Sequence, residues 1–508
     1  MIWGLLIIVL LVVFAFYLHN SGGKTDDFEH IRGTILTTDS EDLVEENTLI
    51  LAGKQIPEEA VRRHILIGGT TGSGKSVATI DYIEGVLERV EREGKKAVIT
   101  DSGGVFLSRF GKPWHDVQNP FDQRTLAWNP FKEIKNRRMD FDRIARSVVP
   151  ETGSSDEAKW ARYAKNIVAD LMKSLDAEGI HNPVRMMDII ASADTATLGG
   201  YLKGTASEPF VTDANKEFFG SIQGVAIQYL RTWAFLEPDG SFSLRDWIRE
   251  PGPGVLWMTY RDDMIESMRF LISSWVDMLI TEILSMDEST VGTRFYFIMD
   301  ELDSLGNIPT LINGLTRGRK YGLSIFSVVQ SVAQLEHTYN EKISQTLRSC
   351  YASKLALAQG SAFDAEYWSR EIGEAERVRA ERSESENTGK SGKWSEESSN
   401  SAGTSESINY RRSVEKVVLP SELQRLKPMT GYLMLAGSPD IRYVEFPYRE
   451  LTKINPPYIP KDFSAKPAPD DHDLFSTEGL EDLEVPEETQ RQTEETVHAH
   501  KADPFDIY

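Results

Sequence analysis

The stretch Gly69-Thr70-Thr71-Gly72-Ser73-Gly74-Lys75-Ser76 constrains this chain more than any other. Its Gly-x-x-x-x-Gly-Lys-Ser pattern is that of a phosphate-binding loop, which needs a buried strand before it and a helix after it. Both flanks comply. The short apolar His64-Ile65-Leu66-Ile67 runs into the loop, and residues 77–92 follow with apolar side chains at helical spacing. Glycines let the backbone wrap a phosphate with its N–H groups pointing inward, and the helix adds its positive end. In this setting Gly69, Thr70, Thr71, Gly72, Ser73 and Gly74 cradle the phosphates of a nucleotide such as ATP. Lys75 then lies on the β- and γ-phosphates and Ser76 on Mg2+. A glycine-rich turn with an incidental Lys-Ser would leave the strand and helix patterns on either side as coincidence.

A second stretch answers the first. Arg294-Phe295-Tyr296-Phe297-Ile298-Met299 runs apolar into Asp300-Glu301, the order of a Walker B strand. There the Asp reaches the Mg2+ shell and the Glu orients the attacking water. Alone, an apolar run ending in two acids is more often a strand capped by solvated carboxylates; paired with the upstream loop it is informative. A further strand, 323–329, ends in Gln330, placed to sense the γ-phosphate or its water, though position alone equally allows a surface amide. Residues 96–101 form another buried-strand pattern ending in Asp101. Strand, helix, strand in this order implies a parallel sheet with right-handed crossovers, whose ligands bind at the carboxyl edge.

Between 140 and 250 strand signals vanish, and 140–149, 155–176, 183–193, 195–203 and 214–236 show apolar residues recurring at three and four. Five such segments without an intervening strand are too many for sheet crossovers and predict an inserted all-α domain. The sheet resumes at 254–260, a long amphipathic helix occupies 263–285, and 354–358, 431–437 and 441–445 read as further strands. Residues 56–59 read as a turn and 374–382 as the end of a charged helix. The nucleotide domain thus falls into two parts, 34–139 and 251–460. Residues 383–407, rich in Ser, Glu, Gly and Asn, lack the apolar groups to order themselves and are expected to be a disordered loop.

The ends differ from the middle. Residues 1–18 carry no charged side chain and are apolar almost throughout, a short transmembrane helix followed by a polar linker, 19–33. No basic n-region or small-residue cleavage site marks a signal peptide. Lys24 and Arg32 behind the helix, and the need of the loop for cytosolic nucleotide, place the remainder in the cytoplasm. Residues 461–508 hold fourteen Asp and Glu against four Lys and Arg, an acidic disordered tail. One cysteine, Cys350, excludes an intramolecular disulfide and a multi-cysteine zinc site. The net charge of −22 argues against a protein that coats nucleic acid nonspecifically over its whole surface. Taking away the tail's surplus of ten (14 − 4) leaves about −12, so DNA must meet a focused basic patch. Lys132, Lys135, Arg137 and Arg138, at the entry to the helical segment, are candidates, although each singly is more simply solvated surface.

Five ordered blocks give the chain a likeness. They are the loop with Gly68; Asn119-Pro120-Phe121-Asp122-Gln123-Arg124 with Trp128-Asn129-Pro130-Phe131; Asp300-Glu301-Leu302-Asp303-Ser304-Leu305; Arg317-Gly318-Arg319-Lys320-Tyr321-Gly322 leading to Gln330-Ser331; and Leu419-Pro420-Ser421-Glu422-Leu423. Over residues 33–448 the chain resembles the type IV secretion coupling proteins of bacterial conjugation. That resemblance implies an α/β fold: a RecA-like P-loop nucleotide-binding domain with an inserted all-α domain, anchored in the bacterial inner membrane and assembling as a homohexamer. It implies ATP and Mg2+ as cofactors, and as partners the relaxosome with its single-stranded DNA, the type IV secretion channel ATPases and the inner-membrane components of the channel. Carried over by position, Lys75 and Ser76 bind phosphate and metal, Asp300 completes the metal site, Glu301 activates water and Gln330 is the sensor. Arg319 is similar to the family's arginine that reaches a neighbouring subunit's nucleotide; by itself it reads as a member of a basic turn. Members commonly carry two transmembrane helices, and this sequence offers one apolar segment.

Two other functions fit the same residues. One is a DNA pump of the FtsK or HerA kind, disfavoured by the helical insertion and the N-terminal anchor. The other is a nucleotide-gated relaxosome receptor that does not pump, which the residues cannot separate from a translocase.

Overall fold

A computed structural model describes residues 28–37, 48–151, 155–290, 292–389 and 401–463. Two compact units divide the chain, one ending at Ile459 and the other beginning at Pro460; among the described residues the phosphate loop, the sheets and the helices lie in the first. In chain order the strands are β1 (Phe28–Gly33), β2 (Ile35–Thr37), β3 (Leu49–Leu51), β4 (Lys54–Ile56), β5 (Ile65–Gly68), β6 (Lys96–Ser102), β7 (Asp116–Val117), β8 (Gly254–Tyr260), β9 (Phe295–Met299), β10 (Leu323–Val329), β11 (Ser353–Ala356), β12 (Glu374–Gly389), β13 (Ser401–Lys416), β14 (Thr430–Met434) and β15 (Asp440–Glu445).

A 10-stranded sheet in the order β2-β15-β14-β11-β5-β10-β9-β6-β8-β7 forms the centre. From β11 to β7 every neighbouring pair is parallel, whereas β14 runs antiparallel to both β11 and β15, so the sheet is mixed. The continuous apolar runs of the sequence follow from burial on both faces. Along β5, Ile65 and Ile67 join one core with Ile83, Val86 and Val90 of the helix Lys75–Glu93, while Leu66 joins the other. The same alternation sends Tyr296 and Ile298 of β9 to the first core, and Phe295, Phe297 and Met299 to the second.

The predicted helical run is present as Asp140–Val148, Ser155–Ala177, Pro183–Ser192, Thr195–Tyr201 and Lys216–Leu230. It shares a continuous apolar core with one face of the sheet and with the helix Ile265–Ile283. Its entry and exit are tied together by the Trp128-Asn129-Pro130-Phe131 block. The buried carboxylate of Glu133 accepts from the Trp128 indole (2.8 Å), the Ser243 hydroxyl (3.0 Å) and the N–H groups of Leu244 (2.7 Å) and Arg245 (3.1 Å). Asn129 donates to the carbonyls of His181 (2.8 Å) and Gly240 (3.1 Å). These residues fix the join between insertion and sheet, which explains their block in the sequence without any chemistry.

Three expectations change. Residues 383–389 and 401–407, expected to be disordered, belong to a hairpin in which β12 and β13 pair antiparallel from Glu374↔Lys416 to Gly389↔Ser401. The strand over Glu374–Gly389 also replaces the charged helix end. A composition poor in apolar groups forbids a core, but a ladder needs only backbone partners, and β1 adds a third strand near the base. The turn expected at 56–59 is the end of β4 followed by a short helix, Glu58–Arg62. Among the described residues no helix is long and apolar enough to cross a membrane; the expected span at 1–18, and residues 464–508 of the expected tail, lie outside them.

Candidate functional site

Parallel strands put all their carboxyl ends on one edge, and the site is built there. The loop leaves β5, Asp101 stands near the end of β6, Asp300 directly follows β9 and Gln330 directly follows β10. The first half of the site depends on backbone geometry. Gly74 begins the helix Lys75–Glu93 at φ 105°, a left-handed conformation, and a Cβ there would press on Met429 at 3.1 Å. No side chain caps this helix and no acid occupies its first turn, so its leading N–H groups are free to meet an anion. At Gly68 a Cβ would lie 2.0 Å from the Trp368 ring, which bars any larger residue where strand becomes loop.

A cavity of about 360 Å3 opens between the loop and the strand ends. Lys75, Ser76, Asp300, Glu301 and Gln330 all line it, so five of the residues expected to act together do meet. The Lys75 ammonium folds back onto the loop, donating to the carbonyls of Gly69 (2.8 Å) and Thr70 (3.1 Å). Burial lowers its pKa, opposed by the carboxylates of Asp303, Glu301 and Asp300. Asp300 is pushed up to about 8 by burial, then by Asp101 and Glu301, with Lys75 opposing. Burial likewise raises Asp101 to about 7, against the N–H groups of Leu107 (2.7 Å) and Phe106 (3.1 Å) that its carboxylate accepts. Of the two, only Asp300 lines the cavity, and a cation beside it would favour its ionised form. A divalent ion supplies that charge, and the hard oxygens here are of the type Mg2+ takes alongside phosphate.

Glu301 carries a further mark, a positive φ of 55° in a non-glycine residue. Such a conformation costs on the order of 1 kcal/mol and persists where the surroundings dictate it. Here the Leu302 N–H donates to the Val328 carbonyl (2.9 Å), and the Glu301 carbonyl accepts from the Ser304 hydroxyl (2.8 Å), so the turn is fixed from both sides. Gln330 is held with equal care: its side-chain amide donates to the Thr71 hydroxyl (2.7 Å), joining the β10 end to the phosphate loop.

Sequence reasoning placed Asp303 in a block but gave it no role. Its Oδ2 accepts from the N–H groups of Gln330 (3.0 Å) and Ser331 (3.2 Å), and thereby sets where Gln330 points. The available signal was a third carboxylate, three residues after Asp300, in a turn that must face the next strand. Tyr448 and Met429, which also line the cavity, left no local pattern to find.

Arg319 is not at this site. It sits in the 3-10 turn Gly318–Tyr321, before the start of β10, and pairs with Glu59 at 3.0 Å. Seven residues of strand separate it from the carboxyl edge, about 20 Å, so it cannot reach its own chain's cavity. The basic patch is also partly neutralised: Lys135 pairs with Asp246 (2.6 Å) and Arg137 with Asp176 (3.0 Å). Lys132 and Arg138 are exposed.

Residues 48–447 match the family described as the type IV secretion-system coupling protein DNA-binding domain. Coupling protein TraD of Escherichia coli (strain K12) is 26% identical over 480 residues, which cover 90% of this chain and 64% of that protein; the chain thus spans less than two thirds of this relative. Plasmid coupling protein TrwB in complex with ADP and Mg2+ superposes with a TM-score of 0.75 at 30% identity, over 85% of this chain and 98% of that one. TrwB in complex with the non-hydrolysable GTP analogue GDPNP gives 0.74 at 30% identity, over 86% and 99%. The matched span takes in the phosphate loop, Asp300-Glu301, Gln330 and the whole helical insertion, and on it the chain belongs to the type IV secretion-system coupling protein family.

Proposed function

We propose that this chain is a RecA-like, membrane-anchored ATPase of conjugative type IV secretion, which receives relaxosome-bound DNA and drives it towards the secretion channel. The observation that carries this is the meeting of Lys75, Ser76, Asp300, Glu301 and Gln330 around one cavity in a member of the coupling-protein family. Nucleotide and Mg2+ in the TrwB complex support ATP and Mg2+ as the ligands here.

The loop amides and the start of the helix Lys75–Glu93 hold the phosphates. Lys75, freed from the Gly69 and Thr70 carbonyls, turns to them, which replaces two backbone acceptors by a charged one. Ser76 and Asp300 hold Mg2+, which when bound neutralises charge on the β- and γ-oxygens. Glu301, fixed by its strained backbone, orients a water, and Gln330, braced by Asp303 and Thr71, senses whether the terminal phosphate is in place. Arg319, about 20 Å from its own site, serves the nucleotide of a neighbour in a homohexamer, which makes hydrolysis depend on the ring. DNA meets Lys132 and Arg138 first, since Lys135 and Arg137 are already paired. Channel ATPases and inner-membrane components are the further partners, and residues 1–18 are the anchor.

Turnover of ATP by the purified full-length protein, with and without single-stranded DNA, tests this. Stimulation by DNA in the wild type and none in Lys75→Ala is expected. Hydrolysis that DNA leaves unchanged would sink the translocase in favour of a gated receptor, and ATP turnover retained by Lys75→Ala would refute the site itself.

A further inference from the structure

A second cavity, of about 460 Å3, adjoins the first. Glu301 and Gln330 line both, so these two side chains form the partition, and no residue of the phosphate loop lines the second. Its other walls include Arg269 on the helix Ile265–Ile283, Asp303, and Ala333 and His337 on the helix Val332–Tyr339. Ala333 and His337 are exposed, so the chamber meets solvent at that helix. The start of the helix is already satisfied: the Ala333 N–H donates to the Ser331 hydroxyl (3.1 Å) and the Val332 N–H to Asp364 (2.8 Å). What draws a ligand into this chamber is therefore in its side chains.

Two of them hold unspent polar capacity. The Nε of Arg269 is buried without a hydrogen-bond partner, and no carboxylate pairs with its guanidinium among the described residues. Asp303 accepts through Oδ2 from the Gln330 and Ser331 N–H groups, while its Oδ1 is buried with no partner among the described residues. Buried groups left unmet are costly, and a ligand that satisfies both must accept from a cation and donate to a carboxylate. Inorganic phosphate near neutral pH does both: its charged oxygens take the fork of an arginine, and its remaining P–OH donates to a carboxylate.

Position gives that phosphate its origin. In an in-line transfer the phosphoryl group moves away from the leaving ADP and towards the attacking water. Glu301 is the residue placed to orient that water, and the chamber begins at Glu301. The way back through the first cavity leads past ADP and Mg2+. We propose that the second cavity is the exit of the inorganic phosphate released by hydrolysis, which passes between Glu301 and Gln330, is held by Arg269 and Asp303, and leaves beside His337. This rests on the hydrolytic role proposed above. Gln330, tied to the Thr71 hydroxyl at 2.7 Å, stands between loop and exit, so sensing the terminal phosphate and letting it out fall to one side chain.

Rapid mixing of the full-length protein with ATP and Mg2+ tests this, with phosphate formed read in acid-quenched samples and phosphate released read by a fluorescent phosphate sensor. Ala333→Trp, which fills the chamber from its exposed wall, should leave formation in the first turnover unchanged and lengthen the lag of release behind it by roughly tenfold or more. At equilibrium, inorganic phosphate should bind the wild type saturated with ADP and Mg2+. Arg269→Gln should weaken that binding by about tenfold, the lower range for a hydrogen bond to a charged group, with ADP affinity retained. An unchanged lag in Ala333→Trp, no phosphate binding to the ADP-loaded wild type, or wild-type phosphate binding in Arg269→Gln would each overturn the exit. An equal loss of affinity for single-stranded DNA in Arg269→Gln would assign the chamber to a backbone phosphate and overturn it too. Lys75→Ala separates the two levels: it should form no phosphate, and formation there would refute the nucleotide site, and the exit with it.

Discussion

Asp300 should make the nucleotide-free protein less stable as pH rises, and its replacement by Asn should remove that weakness. The folded carboxyl titrates near 8 instead of 3.8, because burial and the neighbouring Asp101 and Glu301 oppose its ionisation. Between those values the native state binds a proton that the unfolded chain has released, so stability falls as pH climbs through the window. Each pH unit of displacement is worth about 1.4 kcal/mol, which sets a ceiling on the order of 6 kcal/mol. Lys75 can turn from the loop carbonyls towards the new charge and water can enter the open cavity, so about 2 kcal/mol is the expected cost at pH 8.5. Asn never ionises. In the presence of a chelator the melting gap between Asp300→Asn and the wild type should therefore widen from pH 5 to pH 8.5, where the variant should melt higher by roughly 3 °C. Mg2+ with ATP should narrow that gap, since the ion reaches a carboxylate only in the wild type. Thermal melts at a series of pH values decide it: a gap independent of pH, or a variant less stable at pH 8.5, would refute the buried, destabilised carboxylate. The same substitution should abolish hydrolysis, so that stability and function trade against each other at one residue.

Other outcomes follow from the same structure. Arg319→Ala should leave nucleotide affinity and thermal stability almost unchanged, because its pair with Glu59 is half-exposed and such pairs are worth about 0–1 kcal/mol. Turnover by the assembled protein should nonetheless fall by roughly 100-fold or more; an affinity loss in dilute monomer would place the arginine at its own site. Glu282 is fully buried among Arg143 (2.8 Å), Arg245 (2.6 Å) and Arg249, and joins the helix Ile265–Ile283 to both ends of the insertion. Burial works to raise its pKa, but the three arginines bring it below the ordinary carboxylate value. Glu282→Gln should cost about 3 kcal/mol in urea denaturation at pH 7; a loss below about 1 kcal/mol would mean the arginines find other partners. For DNA, replacing Lys132 and Arg138 with Ala should reduce the salt dependence of single-strand binding by a slope of roughly 1.4, at about 0.7 per contact. The same change at Lys135 and Arg137 should have a smaller effect, and equal slopes would show that their ion pairs open on binding.

Much of the fold is written locally. The strand, loop and helix around Lys75, the Walker B run and the five helical segments of the insertion all rest on short-range periodicity and on glycines whose backbone needs are local. Long-range pairing left fainter traces. The hairpin of β12 and β13 joins residues as far apart as Glu374 and Lys416, and its Ser- and Glu-rich composition reads as disorder because composition reports burial and says nothing of ladder partners. The site divides in the same way. Lys75, Ser76, Asp300 and Glu301 are legible because their motifs are contiguous, whereas Asp303, Met429 and Tyr448 come to the site only by long-range packing.

By itself, the sequence determined that this protein carries a phosphate-binding loop, a carboxylate pair at a strand end and a helical insertion, since each follows from side chains a few positions apart. The tertiary structure alone decided which of these meet. Parallel pairing of β5, β9 and β10 brings Lys75, Asp300 and Gln330 to one edge, and the length of β10 carries Arg319 to the other. A strand has two ends, and a motif does not say which of them faces the cavity until the neighbouring strands are in place.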